Sequence, residues 1–253
     1  MIVVVLQVLL APLLVAAATL AGRAWGERSA GVVSAFPAIV GPVLLIEAQT
    51  HGAAFAARAA NGTLLGLAAL SGFAAVYARV ARRAGWAASL AAGWAAAATI
   101  AAIVAASGAG RLPAPAVAAL SLALAYRTLP RGAAVPAPRM ERDLPLRMAL
   151  TSLLVLSLIA AADRFGPSVG GVLAALPALA SVLVVFTHRQ RGAAAASELL
   201  RGILHGMTGF VIFCVLVGAL LGRAGVAGTF ALAALVTVGV QLVLQSVARP
   251  RIA

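Results

Sequence analysis

The chain has 253 residues, 63% of them hydrophobic and 10% charged, and a mean hydropathy of +1.07. Its 19 basic residues are all arginine and face only six acids, for a formal charge of +13. This composition excludes an ordinary water-soluble domain. The arginines stand between apolar runs rather than along one face, which argues against nucleic-acid binding.

A helical bilayer crossing takes about 17–25 apolar residues. The chain offers nine such runs: 2–20, 30–48, 54–78, 86–106, 112–127, 146–162, 168–187, 195–221 and 226–247. The first resembles a signal peptide in hydrophobicity but has no basic residues ahead of it. Arg23 and Arg28 follow it, which predicts a retained first span with its N-terminus outside. The fifth run is short and opens on LPAPA. Between the fifth and sixth lies TLPRGAAVPAPRMERDLP, a Pro- and Arg-rich linker over 128–145. It divides the chain into a first half, 1–127, and a second half, 146–253.

Arginine placement sets the expected orientation. With the N-terminus outside, fourteen arginines fall on inner segments and three (Arg111, Arg164, Arg223) on outer ones. Arg58 and Arg201 lie within spans. This is the asymmetry of the positive-inside rule, and it predicts a cytoplasmic C-terminus.

The second and seventh runs carry matching sequences, GVVSAFPAI at 31–39 and GVLAALPAL at 171–179. The offset of 140 also aligns Gly26 with Gly166, Gly52 with Gly192, Gly62 with Gly202, Gly66 with Gly206 and Phe73 with Phe213. It lays spans 1–4 on spans 6–9 and leaves span 5 without a counterpart. Five spans in the first half turn the second half upside down, so the expected fold is an all-α polytopic membrane bundle with an inverted-topology repeat. Pro37 and Pro177 then interrupt spans 2 and 7 at similar depth. Each proline removes a backbone donor where lipid offers no water. Each either kinks a packed helix or opens a solute site between half-helices. The pairs Gly62/Gly66 and Gly202/Gly206 have the small-xxx-small spacing of close helix packing, against each other or against the interrupted spans.

Polar side chains inside spans are the candidate functional groups. Glu198, Arg201 and His205 follow at i, i+3 and i+7 on one helical face. The offset pairs Glu198 with Arg58 and Arg201 with Asn61, so the halves differ at equivalent places. Glu198 and Arg201 read as a headgroup-level salt bridge or as site residues, His205 as a packing hydrogen bonder or a titrating group. Glu47 is a surface acid or a proton acceptor. Gln241 bonds a neighbouring helix or a substrate. Asp163 and Arg164 read as a loop pair, and Cys214 as a small buried hydrophobe. No metal-ligand spacing, P-loop or hydrolase motif occurs, so no cofactor, metal or enzymatic activity is expected.

The segment GVLAALPALASVLVVFTHRQRG with LLRGILHGMTGFVIF, over 171–213, resembles GlpM-type bacterial inner-membrane proteins, and 31–73 looks like a degenerate second copy. The resemblance implies a fused duplication of a short unit, in a bacterial inner membrane, with a link to exopolysaccharide (alginate) production. It assigns no site residues.

The residues lead to a secondary transporter of a small solute, with an organic anion preferred because half-helix N-termini attract negative charge. Pro37, Pro177, Arg58, Asn61, Arg201, His205 and Gln241 would bind the solute. Glu198, His205 or Glu47 would carry a coupling proton. The alternative is a non-transporting scaffold in envelope or exopolysaccharide biosynthesis. Expected partners are the lipid bilayer, the solute and, in a homodimer, a second copy.

Overall fold

The computed structural model describes residues 2–107, 113–130, 143–165 and 177–248. Among them every regular element is helical: α1 (Ile2–Trp25), α2 (Glu27–Ser34), α3 (Val40–Thr50), α4 (Ala53–Val80), α5 (Trp86–Ala106), α6 (Ala114–Thr128), α7 (Leu144–Phe165), α8 (Ala178–Leu220) and α9 (Gly225–Ala248). Among the described residues four stretches are long and apolar enough to cross a membrane: Ala53–Val80, Trp86–Ala106, Ala178–Leu220 and Gly225–Ser246. The outer surface bears leucines such as Leu120, Leu235 and Leu242, each about two-thirds exposed or more. Such an apolar exterior belongs in lipid rather than water.

Alanine and leucine favour helix throughout, so punctuation is what shapes the chain. Pro12 lies inside α1 without ending it. At Pro37 the chain does break: α2 stops at Ser34 and α3 begins at Val40. The expected run 30–48 is therefore two helices with irregular backbone between them. Gly41 N–H bonds the Pro37 carbonyl at 2.9 Å, restarting the helix. Gly52 joins α3 to α4 at φ 87°, ψ 166°, a conformation open to glycine alone. Gly192 repeats it within α8, at φ 81°, ψ 179°, dividing that element into 178–191 and 193–220.

The offset of 140 recurs in the backbone. α4 covers 53–80 and the second part of α8 covers 193–220; α1 ends at Trp25 and α7 at Phe165. Ala84 N–H bonds the Val80 carbonyl and Ala224 N–H that of Leu220, both at 2.9 Å. Ser181 N–H bonds the Pro177 carbonyl at 2.8 Å, as Gly41 bonds Pro37. The equivalents of Gly26 and Gly31, Gly166 and Gly171, lie outside the described residues, as do most of the linker and the start of the seventh run.

α4 and the second part of α8 form the centre, with Leu64, Phe73, Tyr77, Leu199, Leu200 and Ile203 fully buried. α5 and α9 pack outside them. α2 lies along α8 with no room for side chains between. A Cβ on Gly31 would strike the Leu199 carbonyl, and one on Gly202 the Arg28 carbonyl. A Cβ on Gly206 would lie 2.8 Å from the Val32 carbonyl. The Gly202/Gly206 pair thus presses against the interrupted second span.

Candidate functional site

The α2–α3 break and the start of α8 face one another across a cavity of about 520 Å³. Pro37 and Pro177 both line it, with Ser34 and Phe36 from the break and Gly62, Thr63 and Gly66 from α4. Ile203, Met207 and Phe210 of α8 close another side. Two helix starts open on this space, Ile39–Val40 of α3 and Ala178–Ala180 of α8. The first N–H groups of a helix have no intrahelical acceptor, so each start offers donors and a positive dipole end. Ser34 Oγ is held by the Gly31 carbonyl at 2.8 Å and Thr63 Oγ1 by that of Ala59 at 2.9 Å. No charged side chain is among the described lining residues. The wall is apolar, with its polarity concentrated in backbone ends. Ser181 anchors the α8 start by donating to the Pro177 carbonyl at 2.8 Å and accepting from Trp94 Nε1 at 2.7 Å.

The other expected site residues stand elsewhere. Arg58 and Asn61 are exposed on α4, and Asn61 Oδ1 lies beside Gly218 of α8. Arg201 is buried; its Nη1 donates to the Leu129 carbonyl at 3.1 Å and its guanidinium lies 4.5 Å over the Tyr126 ring. Glu198 is 4.0 Å from Arg201. His205 lines a separate cleft of about 280 Å³ with Tyr126 and Thr208, and its Nε2 is buried without a hydrogen-bond partner. Gln241 donates to the Gly206 carbonyl at 3.1 Å, the interhelical bond that its sequence position also allowed. Glu47 Oε2 is 2.7 Å from His51 Nδ1 at the end of α3. Cys214 is fully buried. Asp163 lies outside the residues whose side chains are described.

Two features escaped the sequence reading. Arg28 Nη2 donates to the Tyr126 hydroxyl at 2.8 Å, so Tyr126 receives one arginine at its oxygen and Arg201 on its face. A second polar cluster ties the halves together at one end. Asp143 accepts from Arg23 at 3.0 Å, Arg147 at 2.6 Å and Gln190 at 2.8 Å, while Arg191 and Thr187 reach Glu27. Burial alone would raise the Asp143 carboxyl, but hydrogen bonds from Gln190 and Arg147 and the Arg147 charge hold it below the usual carboxylate range. Nearby, Tyr77 Oη lies 3.1 Å from His188 Nδ1, and Arg189 stacks on Trp86. Apart from the i,i+4 pair of Asp143 and Arg147, these partners are 47 to 164 residues apart, with no local sequence signal to join them.

No protein-family model, curated protein or solved structure matches the chain.

Proposed function

We propose that this chain is a secondary transporter of a small solute, carried in a cavity between two interrupted helices of an inverted repeat. The observation that carries it is the 520 Å³ space lined jointly by Pro37 and Pro177. Irregular backbone at membrane depth is tolerated where it borders a cavity, and paired helix breaks are how many transporters build a solute site. A scaffold has no need of such a space.

Contacts at the ends of the helices support the inversion. The α1–α2 connection, with Arg23 and Glu27, meets Gln190 and Arg191 before Gly192. The first-half equivalent of Gly192 is Gly52, at the far end of α3 from Glu27. One end of the bundle therefore gathers connections that a non-inverted repeat would put at opposite ends. The cluster around Asp143 would be the cytoplasmic end, with nine spans and the N-terminus outside. The helix starts at the cavity suit a solute with an acceptor oxygen, a carboxylate or a carbonyl, on an apolar body. The charged groups expected at the site would act from outside the cavity: Arg201 through its position beside Tyr126, His205 as a proton carrier at the flanking cleft and Glu198 as one beside Arg201.

The test is aqueous access. Thr63→Cys and Ala178→Cys, made with Cys214 buried and silent, should react with a membrane-impermeant methanethiosulfonate from either side of the membrane in reconstituted vesicles. Inertness from both sides would leave a packed scaffold. Pro37→Ala and Pro177→Ala should lower the reactivity, because a continuous helix fills the break.

A further inference from the structure

We infer that the polar cluster around Glu27 and Asp143 is a latch that holds one end of the solute route shut, and that its release opens the proline cavity to that end. The inference rests on the transport reading and supplies the switch that such a site requires.

The latch joins the two halves by charge. Glu27, the first residue of α2, accepts from Arg191 and Thr187 in the last turns before Gly192. Arg23, in the last turn of α1, donates to Asp143 just ahead of α7. Asp143 also accepts from Arg147 and Gln190, and Arg147 donates to Gln190 at 2.6 Å. The Glu27 and Arg191 side chains are 11% and 10% exposed, so water screens this pair far less than a surface one. The same end adds Tyr77 bonded to His188 and Arg189 stacked on Trp86. The last turns of 178–191 are thus held to the first half at residues 187, 188, 189 and 191.

Behind the latch the bundle is closed. The space among its side chains is about 20 Å³, too small for a solute. Ala30, Leu183 and Leu199 also border that space, and each is at most 3% exposed. One turn further on, Ala180 and Ile203 line the proline cavity, and a helical turn is only about 5 Å. A single apolar layer separates latch from cavity. Segment 178–191 runs between Pro177 and the positive-φ Gly192, two points where the helical ladder is interrupted. By contrast, α2 is clamped on the second part of α8 through Gly31 and Gly202. Release of Glu27 from Arg191 therefore frees 178–191 to pivot at Gly192 and uncover the layer.

The repeat has ion pairs of this kind at one end only. Thr187 and Arg191 correspond to Glu47 and His51, which bond each other within α3 at 2.7 Å instead of reaching the second half. The offset of 140 turns the pairs Arg23–Asp143 and Glu27–Arg191 into Asp163–Val3 and Pro167–His51, and neither can form a salt bridge. Exchange of conformation between inverted halves moves the closed end from one face to the other. Ion pairs present at one end bias that exchange toward the state seen here.

The experiment measures how fast a membrane-impermeant methanethiosulfonate, added to one face of reconstituted vesicles at a time, modifies Thr63→Cys and Ala178→Cys in the cavity. Ala194→Cys, beside Gly192, identifies the latch face. With the latch intact, both reporters should react about tenfold more slowly from that face than from the other. Glu27→Gln and Arg191→Gln should each raise the latch-face rate about tenfold, the shift expected when a charge-assisted pair favouring one state is lost. Glu27→Arg combined with Arg191→Glu should restore the slow rate, which a merely loosened fold would not do. Equal rates from the two faces with the latch intact, or a latch-face rate unmoved by both single variants, overturns the latch alone. A charge-swapped chain that labels as fast as the single variants overturns it as well. The comparison of faces needs no change at the latch, so it decides the matter where a latch variant does not fold. Reporters inert from both faces, in parent and variants alike, remove the transport reading instead.

Discussion

Gly202 of α8 lies so close beneath the Arg28 carbonyl of α2 that a single methyl group added to it would overlap that carbonyl. The obstruction is backbone, which cannot rotate away as a side chain could. Gly202→Ala must therefore push α2 off α8 and, with it, the polypeptide leading into the Pro37 break. Overpacking of this kind costs about 1–3 kcal/mol. Thermal unfolding in detergent should show a lowered midpoint. Gly239→Ala on α9, where no atom lies within 4 Å of the added carbon, should stay within about 0.5 kcal/mol of the parent.

The Asp143 cluster makes stability depend on pH. Its carboxyl is held below the usual range, so the folded state favours the ionised form. That stabilisation is fully present above the carboxyl's unfolded pKa and is lost as pH falls through the lower folded value. The melting midpoint of the parent should be flat through neutral pH and drop in the acid range. Asp143→Asn leaves Arg147, 8% exposed, without its counter-charge. It should cost about 2 kcal/mol at neutral pH, and the gap to the parent should close as pH falls. A constant gap would place the effect of the variant elsewhere.

Arg201 is held by shape as well as charge. Its guanidinium carbon lies 4.5 Å from the centre of the Tyr126 ring, and the group reaches a carbonyl on the segment after α6. A lysine keeps the charge but has neither the planar face nor the forked donors. Arg201→Lys should therefore behave more like Arg201→Gln than like the parent, each losing about 2 kcal/mol. Tyr126→Phe removes only the bond from Arg28 and should cost about 1 kcal/mol. Midpoints of the three variants separate packing over the ring from simple charge.

Much of the architecture was legible because it is punctuated. Runs read as 54–78, 86–106 and 226–247 correspond to helices at 53–80, 86–106 and 225–248. Gly52 and Gly192 were aligned by sequence before their shared backbone conformation gave the alignment a physical cause. Side-chain partners were not legible. α4 is rich in alanine and apolar nearly all round, so no amphipathic face indicates which residues meet the cavity. Arg58 and Asn61 drew attention by polarity, whereas Gly62, Thr63 and Gly66, one turn on, are the ones that line it. Glu27 and Arg191 are 164 residues apart, and only the folded chain brings them together.

The proposed inversion has a direct consequence at a pair of equivalent residues. Ala54 and Ala194 are related by the offset of 140, each second in its helix after a positive-φ glycine and each exposed. Cys214 is fully buried, so single cysteines at these positions can be read against a silent background. In intact bacterial cells, Ala54→Cys should be modified by a membrane-impermeant maleimide added outside. Ala194→Cys should require permeabilisation. Both substitutions exchange one small residue for another on an exposed helix start, so stability should shift by no more than about 0.5 kcal/mol. Modification of both from the same side would mean that the halves are parallel. Pro37 and Pro177 would then approach the cavity from the same direction, and the pairing of interrupted helices across a pseudo-twofold axis, on which the transport mechanism depends, would fall with it.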